Sequence, residues 1–261
     1  MRTRLGTILF SVALAALRAE SPSETEIRNG AARALTLIQA TQKVWASKQS
    51  CVSCHHQVLP LLATVVANEH GIPFDIEAAR TNAAAIAQHL RGIDRSVQYH
   101  GMIDPALSDG YILTGAAAAG LPPSLNSAIF ARHIAVRQKS DGHWVTWDAR
   151  PPQSYGSITS TAVAVRAIRQ YSHKSLAADT ANRVGRAAAW LDTAPTRTTE
   201  DRVFQMLGLH WAGRDPRRFA RELAGLQRED GGWAALDSRK SDAYSTGLVL
   251  NALYVAGGLV V

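Results

Sequence analysis

The sequence predicts an all-α protein built from repeated helical hairpins. Helical patterns follow one another along nearly the whole chain of 261 residues. A frame of Gln, Asp, Gly and Trp also occurs twice at identical spacing, as Gln138-Lys-Ser-Asp-Gly-His-Trp144 and Gln227-Arg-Glu-Asp-Gly-Gly-Trp233. Helix openings recur about every 42 to 44 residues, at Ser157, Thr199 and Asp242. A period in that range is typical of stacked helical hairpins.

The first residues predict a secretory signal peptide over positions 1–19. Arg2 and Arg4 precede an apolar run from Leu5 to Leu17, after which the chain turns polar. This run is too short to span a bilayer comfortably. Cleavage after Ala19 leaves 20–261 as the mature domain, exported to the periplasm. Retention of the segment as an N-terminal anchor is the alternative, and it would hold the protein at the membrane.

The composition is that of a globular protein with a substantial core, since 46% of the residues are hydrophobic. The net charge is +7, to which Arg2, Arg4 and Arg18 of the predicted signal contribute, so the mature chain carries only a mild positive excess. The remaining basic residues are scattered among helices and form no aromatic-interleaved stripe. This distribution argues against nucleic-acid binding. No Ser-His-Asp order, phosphate loop or Gly-rich nucleotide motif is present.

The first half of the mature chain predicts four helices. After a polar lead-in, apolar spacing indicates a helix at 30–46, and a turn then precedes a helix at 58–69 that stops at Gly71 and Pro73. The Ala- and Ile-rich spacing of 76–91 suits a helix that packs on a neighbour. Positions 94–107 are irregular, and a short small-residue helix at 111–119 ends at Gly120 to Pro123.

The second half predicts six helices, and the repeated frame lies where two of them end. They are expected at 127–136, 159–171, 178–191, 199–212, 217–226 and 242–256. The Asp-Gly pair of each frame stops a helix because Gly tolerates left-handed backbone, and the Trp can then lie across the helix it has left. The Gln can bond free backbone groups at the junction.

The two frames resemble the QW motifs of the terpenoid cyclase and protein prenyltransferase superfamily, which includes squalene–hopene cyclase. The openings Ser157 to Ala162 and Asp242 to Gly247 fall where that family begins its inner helices. The resemblance covers 105–258 well and 30–100 loosely. It implies an α/α toroid whose inner helices surround an apolar cavity, suited to an apolar or isoprenoid small molecule. Four or five hairpins are fewer than the usual closed ring, which predicts an open or incomplete toroid, or a face covered by self-association.

The catalytic part of that resemblance is missing. The cyclases protonate an alkene or epoxide with an acid in an Asp-x-Asp-Asp-Thr-Ala-type stretch, and the matching stretch here is Ser157-Ile158-Thr159-Ser160-Thr161-Ala162. A hydroxyl group cannot protonate an isolated double bond, so we expect no active cyclase. Asp201, next to Glu200, and Asp242 open the following inner helices and are the candidates for a displaced catalytic acid. Alternatively, these acids cap their helices.

Both cysteines lie in Cys51-Val-Ser-Cys54-His55, the attachment signature of c-type haem. The two thiols would form thioethers with the vinyl groups and His55 would ligate the iron, so a redox partner would be expected. Predicted export favours this interpretation. A disulfide or structural thiols, or a metal site that includes His56, are the alternatives. The residues available as a sixth ligand are His70, His100, Met102 and Met206.

Overall fold

The computed structural model describes residues 21–49, 52–92, 105–146 and 156–258. These residues are helical and contain no strand, which confirms the all-α class. The ten α-helices in this part of the chain are α1 (Glu24–Lys48), α2 (Leu59–Glu69), α3 (Ile76–Arg91), α4 (Pro105–Ala118), α5 (Leu125–Ala135), α6 (Ser157–Tyr171), α7 (Ala177–Thr193), α8 (Thr199–Trp211), α9 (Arg217–Gly225) and α10 (Ala243–Ala256). A π-helical turn, Cys54–Val58, leads into α2, and a 3-10 turn, Lys174–Leu176, leads into α7. The predicted signal peptide, Cys51, His100 and Met102 lie outside the described residues.

Capping side chains set where several helices begin. Helix α1 starts earlier than the apolar pattern predicts, because Ser23 and Glu26 form a capping box in which each side chain bonds the other's backbone N–H. Thr198 and Asp201 form the same device at α8. Asp75 caps α3, where its carboxylate accepts a hydrogen bond from a backbone N–H of the first turn. These local bonds satisfy N–H groups that a helix end leaves free.

The helices form two layers of alternating hairpins. The even-numbered helices make an inner row in which α2, α4, α6, α8 and α10 each pack against the next. Among the odd-numbered outer helices, α3, α5, α7 and α9 each pack against the two inner helices that flank them, and α1 packs on α2 and α3. Within the described residues, α10 does not return to pack along α2. The hairpin arrangement therefore agrees with the repeat pattern, and closure into a toroid stays a prediction.

Small residues let neighbouring inner helices approach closely. A Cβ atom added to Gly110 of α4 would lie 2.5 Å from a methyl carbon of Val163 in α6, and one added to Gly208 of α8 would lie 2.9 Å from the Cβ atom of Ala162. Large side chains fill the space between the layers, including fully buried Phe130 and Trp144. Burial of such a side chain contributes about 1.5–3 kcal/mol, so packing between the layers stabilises the fold.

Helix α10 leaves an apolar flank exposed at the end of the inner row. Tyr254 is 62% exposed and Val255 is 44% exposed, and no charged residue occurs between Ala243 and Ala256. No helix of the described residues is long and apolar enough to cross a bilayer. The predicted cover for this flank, a partner or a second copy, stays a prediction.

Candidate functional site

The two Gln/Trp frames fold into the same hydrogen-bonded unit. In the first, Gln138 Nε2 donates to Gly142 O at 2.8 Å, and Trp144 Nε1 donates back to Ile134 O of α5 at 2.7 Å. In the second, Gln227 Nε2 donates to Gly231 O at 2.9 Å, and Trp233 Nε1 donates to Leu223 O of α9 at 2.7 Å. Each Trp thus lies on the outer helix that the chain has just left.

Each frame also anchors the inner helix that follows. Trp144 N donates to Thr161 Oγ1 of α6 at 3.0 Å, and Trp233 N donates to Thr246 Oγ1 of α10 at 3.0 Å. Thr161 belongs to the stretch that the predicted resemblance aligns with the acidic motif of the cyclases. The neighbouring Ser160 hydroxyl donates to Gly156 O at 3.1 Å. These two hydroxyls therefore hold the start of α6 in place.

Polar side chains line the inner row near the start of its helices. We call Cys54, Tyr111, Thr159, Glu200 and Tyr244 the inner-face row, one residue from each hairpin. Both Glu200 oxygens accept hydrogen bonds, from the Thr159 hydroxyl at 3.2 Å and from the Tyr244 hydroxyl at 3.4 Å. Because the chain places one outer helix between successive inner helices, the inner helices run parallel and their N-terminal ends meet here.

Tyr111 lies within electrostatic range of Cys54 on one side of the inner-face row and of Glu200 and Tyr244 on the other. Its side chain is buried on α4. Burial raises the pKa of Tyr111 well above its ordinary value, and the nearby Cys54, Glu200 and Tyr244 raise it further. The phenol is therefore neutral over the physiological range.

The cysteine–histidine stretch lies at the entry to the first inner helix. Cys54 begins the π-helical turn, and its half-buried side chain packs against the core, whereas His55 is exposed. The Cys54 sulfur lies 3.5 Å from His55 Nδ1. The His56 ring stacks on Trp45 of α1 with 4.7 Å between the ring centroids. The ring centroid of His55 lies 4.5 Å from that of His56. Cys54 and His55 are two of the three donors that covalent haem would need, and Cys51, the third, lies outside the described residues.

The proposed sixth ligands separate into three groups. Met206 is fully buried in the core of α8, so it is not available to a haem at His55. His70 follows the last residue of α2, which places it roughly 20 Å along the helix from His55. His100 and Met102 lie outside the described residues. Within the described ranges, no three His, Cys, Asp or Glu side chains come together as metal ligands.

Asp201 and Asp242, the two candidate acids, are used as helix caps. Asp201 Oδ2 accepts from the backbone N–H groups of Arg197 and Thr198 at 2.9 and 3.0 Å. Asp242 accepts from Ser245 N at 2.7 Å and from Ala235 N at 3.1 Å. Burial opposes ionisation of Asp242, but these hydrogen bonds outweigh it and lower its pKa. Neither carboxylate belongs to the inner-face row.

Sequence reasoning did not single out Tyr111 or Tyr244, and it considered Glu200 only together with Asp201. A signal for two of them was present, because Glu200 and Tyr244 occupy the same position, two residues after the N-cap of α8 and α10. No comparable signal marked Tyr111, which lies in the second turn of α4.

Two surface cavities lie away from the inner-face row. The larger, about 490 Å³, is formed where α6 and α8 end beside α7, and basic side chains, among them Arg169, Lys174 and Arg214, line it. The smaller, about 280 Å³, lies beside the first frame. The central apolar cavity that the resemblance implies stays a prediction. No protein-family model matches the chain, and a search of curated proteins finds no significant match.

Proposed function

We propose that this chain is an exported, terpenoid-cyclase-like repeat protein that acts as a redox-associated binding module and carries haem c. Cys51 and Cys54 would hold the haem through thioethers, and His55 would ligate its iron. The observation that carries the proposal is the position of Cys54 and His55, at the entry to an inner helix with the imidazole in solvent.

The surroundings of these residues support attachment at the surface of the repeat. Cys54 packs against the core while His55 is exposed, so the thiol side is anchored and the imidazole side is accessible. The stacked rings of Trp45 and His56 add a flat aromatic surface beside the imidazole. When bound, a haem supplies one-electron chemistry. A haem held at the surface beside exposed His55 would be accessible to a separate redox partner.

The inner face supports binding better than cyclisation. A cyclase needs a carboxylic acid that donates a proton to an alkene, and both oxygens of Glu200 instead act as hydrogen-bond acceptors. Asp201 and Asp242 cap their helices. An apolar or isoprenoid molecule held on this face would therefore be bound without being protonated.

The test is the visible absorption spectrum of the mature protein, produced in a periplasm that contains the haem-attachment machinery. We expect a Soret band that survives denaturation and is absent from the Cys51→Ser/Cys54→Ser variant. His56→Ala is the matched control, because it removes an adjacent imidazole outside the attachment signature, and it should keep the band. His55→Ala should keep the covalent haem and alter its spectrum, since the iron loses a ligand.

The absence of a covalent Soret band would refute haem attachment. Metal analysis and thiol titration of the same sample would then distinguish the two alternatives. Stoichiometric zinc that is lost in the double variant would indicate a metal site. Two thiols that can be titrated only after reduction would indicate a disulfide.

A further inference from the structure

The larger surface cavity carries charge of one sign. It has a volume of about 490 Å³ and is formed where α6 and α8 end beside the start of α7. Arg169, Lys174 and Arg214 bring positive charge to it from three different segments, and His173 adds another when it is protonated. Among the described residues that line the cavity, none is an Asp or a Glu. A cleft lined by one sign of charge concentrates counter-ions, so this cavity favours an anion.

The carboxylates closest in sequence to these basic residues are paired with other arginines. Asp179, in the first turn of α7, accepts from Arg132 and Arg183. Asp215 accepts from Arg217. Neither carboxylate lines the cavity. The positive charge of the cavity is therefore not balanced by the acidic residues of the adjoining segments.

The end of α8 accounts for only one of the three basic side chains. Arg169 Nη1 donates to Trp211 O, which holds the guanidinium beside the cavity. The backbone N–H of Arg214 donates to Leu209 O at 2.9 Å, so the carbonyl there needs no side chain. Toward other described residues, the exposed side chains of Lys174 and Arg214 form no hydrogen bond or ion pair. Both side chains are therefore available to a ligand.

Gly185, in the interior of α7, leaves space beside one wall of the cavity. A Cβ atom added there would meet nothing within 4 Å, so no packing contact requires glycine at this position. Glycine inside a helix lowers stability relative to residues with a side chain. Ala181 and Val184 line the same wall and give it an apolar surface. Open space against an apolar wall, next to the charges, provides room for a small organic group.

We propose that this cavity binds a phosphomonoester, with its phosphate between Arg169, Lys174 and Arg214 and its organic group against α7. Three cations favour a dianion over a monoanion, and guanidinium groups bind phosphate oxygens in a bidentate manner. A volume of about 490 Å³ lies within the range of small-molecule sites. The site goes beyond the proposed haem function, because it uses no residue of the Cys-x-x-Cys-His stretch.

The probe is phenyl phosphate, titrated into the mature protein by calorimetry at fixed ionic strength and about pH 8, where the phosphate is a dianion. Phenyl sulfate, which has a similar shape and one charge, is titrated beside it. We expect the phosphate to bind at least about tenfold more tightly than the sulfate, because its second charge interacts with the same cations. Lys174→Gln/Arg214→Gln should remove that difference. Arg33→Gln/Lys48→Gln is the matched control, since it removes two exposed charges from α1, and it should keep the difference.

Gly185→Leu tests the location of the ligand. The leucine side chain would extend into the open space while every charge stays in place, and leucine favours a helix more than glycine does. We expect this variant to bind phenyl phosphate at least about tenfold more weakly, because the side chain occupies the volume of the organic group. Far-UV circular dichroism checks that each variant is folded.

Several outcomes would overturn the proposal: no saturable binding of phenyl phosphate by the unaltered protein, equal loss in both double variants, or unchanged affinity in folded Gly185→Leu. Vesicles that contain phosphatidic acid form a second arm, because a lipid headgroup carries the same phosphate chemistry. Sedimentation with these vesicles without binding of phenyl phosphate would replace the small molecule with a lipid surface. The Cys51→Ser/Cys54→Ser variant should bind phenyl phosphate normally, so failure of haem attachment does not affect this test.

Discussion

Alanine substitution of the equivalent glycine in the two frames provides a matched test of how the repeat is held together. Gly142 and Gly231 both have left-handed backbone, with φ of +108° and +78°. Their surroundings differ. A Cβ atom at Gly142 would lie 2.5 Å from the backbone oxygen of Arg186 in α7, whereas a Cβ atom at Gly231 would meet nothing within 4 Å. Both substitutions therefore carry the conformational cost of left-handed backbone, and Gly142→Ala adds a clash with backbone atoms.

The geometry sets the expected magnitudes. Left-handed backbone costs a residue with a Cβ atom roughly 1–2 kcal/mol, which is the whole effect expected for Gly231→Ala. A clash with backbone atoms adds about 1–3 kcal/mol because neither helix can shift freely, so Gly142→Ala should lose roughly 2–5 kcal/mol. For a chain of this size, each kcal/mol lowers Tm by about 2–4 °C.

The measurement is urea unfolding followed by far-UV circular dichroism for both variants and the unaltered protein. We expect the loss of unfolding free energy to be larger for Gly142→Ala, with similar m-values. Equal losses would refute the reasoning, because they would mean that α7 does not press on the first frame as the structure shows.

Two further predictions concern buried and capping carboxyls. Asp109 is fully buried without a hydrogen-bond partner, and burial raises its pKa to about 8 despite attraction from Arg137. The native state then keeps a proton that the unfolded chain releases near pH ~4, so stability relative to Asp109→Asn should fall as pH rises from about 4 to about 8. A pH-independent difference in urea midpoint would contradict this. Asp201→Ala and Asp242→Ala should each lose about 0.5–2 kcal/mol of stability as caps, and squalene incubated with the unaltered protein should give no cyclised product by mass spectrometry. A product that disappears in either variant would restore the cyclase hypothesis.

Much of the fold was predictable because its signals are local. The frame of Gln, Asp, Gly and Trp predicted a helix end and a returning Trp, and the bonds of Trp144 and Trp233 to the preceding outer helices show that geometry. Capping extended α1 beyond its apolar pattern, since Ser23 and Glu26 bond each other outside the hydrophobic stretch. Closure into a ring stays a prediction, because it depends on how many hairpins stack and at what angle, which local signals do not determine.

For the described part of the chain, the sequence by itself determined the ten α-helices, their hairpin order and the two equivalent frames, because periodicity, caps and turn glycines act over a few residues. It missed the start of α4, since 94–107 was predicted to be irregular and the helix begins at Pro105. Only the tertiary structure decided which side chains meet. Glu200 joins Thr159 and Tyr244, whereas the adjacent Asp201 turns back to its own helix end. Successive residues on an α-helix point about 100° apart, so Glu200 contacts the neighbouring inner helices while the adjacent Asp201 caps its own helix.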